Sequence, residues 1–178
     1  MENLWKHLNL DNYNPVVTPP EVILNQQCGY ISDATDGKVI AKVAKYNGPM
    51  SDYMETRGPI GVINRLERPV DIQTKLGDTG QVPDMYFTHE FYLTSPNTPK
   101  YKFRIMFFRY ALGQYPVRVI LNYDIASDIM ETEEVLCQSE DDFKALLVSI
   151  SRSKKLKSVI IALRNIAQQS GEITEVAT

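Results

Sequence analysis

MYFTHEFYLTSPNTPKYKFRIMFFRYAL, residues 85–112, decides the fold of this 178-residue chain. The runs 85–93 and 101–112 are dense in aromatic and branched residues, and the connector 95–100 carries Pro96, Asn97 and Pro99. Two strand formers joined by a short turn-rich link read as an antiparallel pair. Strict alternation puts Phe87, His89, Phe91 and Leu93 on one face of the first strand. On the second strand it groups Tyr101, Phe103, Ile105 and Phe107 opposite Lys102, Arg104, Met106, Phe108 and Tyr110. A face holding both charges and rings predicts partial cover by helices or by another chain.

Further strands extend the pair on both sides. After a turn at Gly113-Gln114, YPVRVILNY sets Val117, Val119 and Leu121 against Arg118 and Ile120, and in EEVLCQ Val135 and Cys137 face away from Leu136. Upstream, KVIAKVAKY sets Val39, Ala41 and Val43 against Ile40, Lys42, Ala44 and Tyr46.

Helices flank the strands. Thr18, Pro19 and Glu21 make a T-x-x-E start for a helix whose stripe runs through Leu24, Cys28 and Ile31 and which ends in SDATDG. Ser139 and Asp142 repeat the capping pattern ahead of Phe143, Leu146, Leu147 and Ile150. SRSKK interrupts that stripe before Leu156, Val159 or Ile160, and Leu163 resume it, which predicts two helices with a stop at Gly171. The fold class expected is α+β: a single domain over 1–178, with an antiparallel β-sheet of about four to five strands packed against an N-terminal helix and two C-terminal helices. Within it, residues 1–15 read as a docking tip, since Leu4, Trp5 and Leu8 form a short apolar stripe, and 48–84 as a loop-rich excursion around the short candidate strand VINRL.

Composition narrows the functional classes. Hydrophobic residues at 43% and charged residues at 23% suit a folded globule. A net charge of −3 gives no global attraction to nucleic acid or an anionic membrane. No run is long and apolar enough to cross a bilayer, and MENLWKHLNL lacks the basic flank and apolar run of a signal peptide, so the expectation is a cytoplasmic protein. Cys28 and Cys137 have neither disulfide-framework nor metal-knuckle spacing, and two histidines with no H-E-x-x-H motif point to no metal and no cofactor. Asp33 and Asp36 do not continue into a calcium loop and suit a turn. No glycine-rich phosphate motif is present in the sequence.

Candidate catalytic residues are correspondingly weak. His89 and Glu90 are adjacent on a strand and point to opposite faces, so His89 needs a carboxylate from a distant segment to act as a base in a small hydrolase or transferase. Cys28 lies on a core-facing helical stripe, where a thiol is inert. His7 lies near the terminus and is weaker still.

The function expected from these residues is a noncatalytic protein-interaction or accessory domain. Trp5, Phe108, Tyr110 and Tyr115 would supply contact area to a protein partner or to a second copy, since aromatic anchors carry much of an interface's energy. The basic segment Arg152, Lys154, Lys155 and Lys157 follows an acidic run and is a second candidate surface, for a polyanion or nucleic acid. Arg57, Arg65 and Arg68 would enlarge it if the excursion folds back.

Overall fold

The computed structural model describes residues 17–48, 53–55, 68–70, 76 and 86–175, with side chains through 168 and none for 53–55 and 68–70. Helix α1 spans Pro20–Ala34 and is followed by β1 (Ile40–Lys45), β2 (Tyr53–Glu55) and β3 (Arg68–Val70). Then come β4 (Tyr86–Ser95), β5 (Thr98–Ala111), β6 (Val117–Leu121), α2 (Tyr123–Asp128), β7 (Glu134–Cys137), α3 (Glu140–Arg152) and α4 (Lys154–Glu175). Five strands form one sheet in the order β1-β4-β5-β6-β7, every neighbouring pair antiparallel, while β2 and β3 pair separately within the 48–84 excursion. The expected α+β domain with its N-terminal and C-terminal helices is therefore the fold observed.

The alternation read for β5 fails at one residue. Phe91 pairs with Met106 but Tyr92 pairs with Arg104, so Ile105 is an extra residue in β5. Such a bulge breaks the two-residue period, and every side chain beyond it changes face relative to a regular strand. Phe103, Ile105, Met106, Phe108 and Tyr110 consequently all join the core under the helices. Phe107 goes to the opposite face, where it packs with Leu76, Ile120 and Tyr46. The carbonyl of the bulged Ile105 accepts from the Asn122 amide at 2.8 Å, so the irregularity leaves it satisfied. The β4–β5 link is also tighter than the connector suggested, with β4 running through Ser95 and β5 starting at Thr98.

The remaining strands keep their predicted faces. Val39 and Ala41, Val117, Val119 and Leu121, and Cys137 are all buried in the main core. Helices cover this face because their apolar stripes match it: Ile23 and Leu24 from α1, Phe143, Leu146 and Ile150 from α3, Leu156 and Leu163 from α4. Burying one such side chain stabilises the fold by about 1.5–3 kcal/mol.

Helix ends show where local chemistry was read correctly and where it was not. Ser139 and Asp142 form the reciprocal capping box expected, with the Asp142 amide donating to Ser139 Oγ at 3.1 Å and the Ser139 amide to Asp142 Oδ2 at 3.0 Å. The T-x-x-E box does not form: Pro19 is the residue before the helix and Pro20 its first residue. The Thr18 amide instead donates to Glu140 Oε2 on α3 at 2.9 Å, a tertiary bond in place of a local one. At the other end of α1, Gly37 has φ +71° and its amide donates to Ser32 O at 2.9 Å. That left-handed turn suits a residue without a Cβ. Helix α4 continues through Gly171, which does not stop it. The expected strand at VINRL lies outside the described residues.

Helix α2 was absent from the sequence reading. Asn122 caps it, its side-chain oxygen accepting from the amides of Asp124 at 3.1 Å and Ile125 at 3.3 Å. The same helix sets up the break between α3 and α4. Ser153 Oγ donates to Asp128 Oδ2 at 2.7 Å and accepts from the Leu156 amide at 3.2 Å, while the Lys155 amide donates to the same Asp128 oxygen at 3.1 Å. Two α4 amides left open by the start of the helix thus find acceptors.

Candidate functional site

The three long helices do not close completely over the sheet. Along α1, Leu24, Gln27, Ile31 and Ala34 fall at helical spacing and form one wall. Leu147, Ile150 and Ser151 of α3 form a second, and Leu156, Ile160, Ile161 and Arg164 of α4 a third. Phe91 and Ile105 are the floor, so the bulged residue of β5 lies directly beneath the opening. The recess holds about 320 Å³. Tyr30, 64% exposed, and Ile161, 52% exposed, stand at its mouth. A second cavity of about 310 Å³ runs on from it between α1 and α3, sharing Gln27, Leu147 and Ser151 and ending at Thr18, Glu140 and Lys144. The first part is apolar and the second carries the Lys144–Glu140 ion pair at 2.6 Å.

The chemistry of this recess is that of shape and apolar contact. Its polar lining atoms come from Gln27, Tyr30, Thr35, Ser151 and Arg164, and Thr35 Oγ1 is already engaged by Ile31 O at 2.8 Å and the Val39 amide at 3.2 Å. No group of three or more metal-ligating side chains occurs among the described residues.

His89 lies away from this recess, on the same face of the sheet. Its ring stacks on Phe108 at 5.2 Å and on Tyr110 at 5.8 Å, both nearly parallel. Burial holds its pKa below the usual histidine value, with Lys45 acting in the same direction and Glu21 against it. Glu21 of α1 is thus the distant carboxylate nearest in effect, but His89 Nδ1 and Glu21 Oε2 are each buried without a hydrogen-bond partner, so the two are not joined as an acid-base pair.

The thiols are unreactive in character. Burial pushes Cys28 up, with its own backbone hydrogen bond opposing, and pushes Cys137 up to about 11, helped by Asp142 and Glu131.

The aromatic candidates separate. Phe108 is fully buried and Tyr110 nearly so, which corrects the expectation that they present contact area. The bulge turned them under the helices, where Phe108 meets Phe143 with ring centres 6.2 Å apart. Tyr115 is half-buried; its hydroxyl donates to Thr18 O at 3.3 Å, and burial, with Glu140 next, pushes its pKa up to about 12. Trp5 lies outside the described residues, as do His7, Arg57 and Arg65, and the side chain of Arg68.

The basic segment is partly neutralised by the helix the sequence reading lacked. Lys155 Nζ lies 2.8 Å from Asp124 Oδ2, and Asp128 sits at the start of α4. Arg152, Lys154 and Lys157 are exposed. Lys157, Ile161 and Arg164 stand at i, i+4 and i+7 on α4, so the basic segment and the mouth of the recess share one stripe. Ile161, Arg164, Gln27 and Tyr30 were missed as site residues. The available signal was the run VIIALR, residues 159–164, whose apolar stretch is wider than one buried stripe needs.

No family model, curated protein or solved structure matched the chain when compared with it. No described helix is long and apolar enough to cross a membrane.

Proposed function

We propose that this domain is a noncatalytic protein-interaction module that holds an apolar segment of another protein in the groove between α1, α3 and α4. The observation that carries the reading is the 320 Å³ recess, walled by aliphatic side chains, with Tyr30 and Ile161 exposed at its mouth. Recesses of about 300–1,000 Å³ lined by apolar groups with a few polar ones at the edge are where proteins take up ligands. One Leu-sized or Phe-sized anchor buried there contributes about 1.5–3 kcal/mol, and an exposed tyrosine beside it is the residue type that hot spots favour. The interface differs from the one read in the sequence: Tyr30, Ile161 and their neighbours take the place of Phe108 and Tyr110.

Selection of binding peptides from a displayed random library tests this. Sequences with recurrent apolar anchors are expected, and their binding should be abolished by Ile161→Asp and kept by Leu136→Asp, a substitution at an exposed site on β7. Peptides that bind the Ile161→Asp protein as well as the unaltered one would overturn the assignment.

A further inference from the structure

We infer that the segment seated in this groove is an acidic amphipathic helix, its apolar stripe between Tyr30 and Ile161 and its carboxylates on Lys157 and Arg164. The inference rests on the reading of the groove as a protein-binding site and adds what the partner is made of.

The helical form follows from hydrogen bonding. The walls of the groove are helices whose backbone groups are bonded within themselves, so no sheet edge is offered to an incoming chain. An extended segment would bury its own amides and carbonyls there without partners, whereas a helix arrives with them satisfied.

The charge follows from the rim. Lys157 and Arg164 are exposed and flank the exposed Ile161 on one stripe. Seven residues of helix make that stripe about 10 Å long, or two turns. Among the described residues neither cation has an acidic partner, in contrast to Lys155 with Asp124 and Lys144 with Glu140. The facing wall lines the groove with Gln27 and Tyr30, neither of them a carboxylate. On a chain of net charge −3, two cations with no acidic partner among the described residues, set beside an apolar recess, make a local field that an acidic helix meets favourably and a basic one does not.

The test uses a helical peptide of about five turns with leucines at i, i+4 and i+7 and glutamates flanking them, and its twin with lysine at each glutamate position. Binding to the full chain is read by fluorescence anisotropy and by the methyl signals of isotope-labelled isoleucines. The acidic peptide is expected to bind about tenfold or more tightly than the basic one, to lose that advantage in molar salt, and to lose it in the double variant Lys157→Glu, Arg164→Glu. The salt dependence of the unaltered protein decides the matter independently of how the variant folds. Equal binding of the two peptides overturns the acidic helix and leaves the groove reading standing. No binding by either overturns both. Isoleucine signals that move with protein concentration alone put a second copy in the groove, signals that move only with dodecanoate put a small amphiphile there, and each overturns the inference.

Discussion

Glu90 Oε2 accepts two hydrogen bonds from Arg104, from Nη2 at 2.9 Å and from Nε at 3.2 Å, and both side chains are buried on the sheet face away from the long helices. Lys102 bonds the other carboxylate oxygen from a more exposed position, and the Arg104 guanidinium lies 4.3 Å from the Phe107 ring centre. The Ile105 bulge creates this arrangement by setting Arg104 and Phe107, three apart, on one face.

Removing one partner of a buried pair strands the other. Glu90→Ala is expected to destabilise the fold by about 3–5 kcal/mol and Lys102→Ala by less than about 1 kcal/mol, because Lys102 retains water. Urea midpoints at unchanged slope measure both. Similar losses from the two substitutions would show that Arg104 does not anchor the carboxylate.

His89 is expected to titrate below the ordinary histidine value of about 6.5, because burial favours its neutral ring. The unfolded chain then takes up the proton more readily than the folded one. This contribution to stability is complete above about pH 6.5 and is lost as pH falls toward the depressed folded value. His89→Phe, which retains a ring against Phe108 and Tyr110, should remove this acid sensitivity; thermal melts at pH 7 and pH 5 compare the two proteins. An unaltered difference between the two melts would assign the sensitivity elsewhere.

The hydrogen bond from Ser153, ahead of that from the Lys155 amide, holds the Asp128 carboxyl below its usual range. With a depressed folded value, its contribution is present above the unfolded value of about 3.9 and disappears as pH falls through the folded one. Asp128→Asn should lower the melting temperature at neutral pH and converge with the unaltered protein in acid below about pH 3.9. A constant gap across that window would mean the carboxylate charge has no part in joining α3 to α4.

Neighbouring positions on α4 should respond oppositely. Leu163 is 2% exposed and Ile161 is 52% exposed. Leu163→Ala is expected to cost about 2–4 kcal/mol, because it leaves a cavity in the core. Ile161→Ser should stay within about 0.5 kcal/mol, as surface substitutions do, and act on peptide binding instead. Denaturation and anisotropy on the same two variants separate packing from recognition.

Iodoacetamide should modify both cysteines slowly at pH 8, and Cys137 more slowly than Cys28. Cys137 is buried with its thiol raised to about 11, while Cys28 is only partly buried. Mass spectrometry of the alkylated chain resolves the order, and the reverse order would place Cys137 nearer solvent than its neighbours allow.

Local pattern alone was enough for the five strands of the main sheet and the three long helices, though not for α2 or the β2–β3 pair. The alternation at 39–45, 117–121 and 134–137 placed each strand and its inward face, and Ser139 with Asp142 fixed the start of α3, because these depend on residues within one turn or one pleat of each other. The polar break at Ser153 likewise separated α3 from α4. The faces of β5 could not be had this way. Nothing in FRIMFF marks Ile105 as the extra residue, since the bulge exists only in the pairing of β5 with β4, and with it went the exposure of Phe108 and Tyr110. Thr18 gave up its local cap for Glu140 on α3, a partner 122 residues away. The groove is of the same kind. Each of its walls is an ordinary amphipathic helix, and whether three such helices close over a sheet or leave Ile161 and Tyr30 around an opening is settled by the distances between them, a quantity that belongs to packing and to no single stretch of chain.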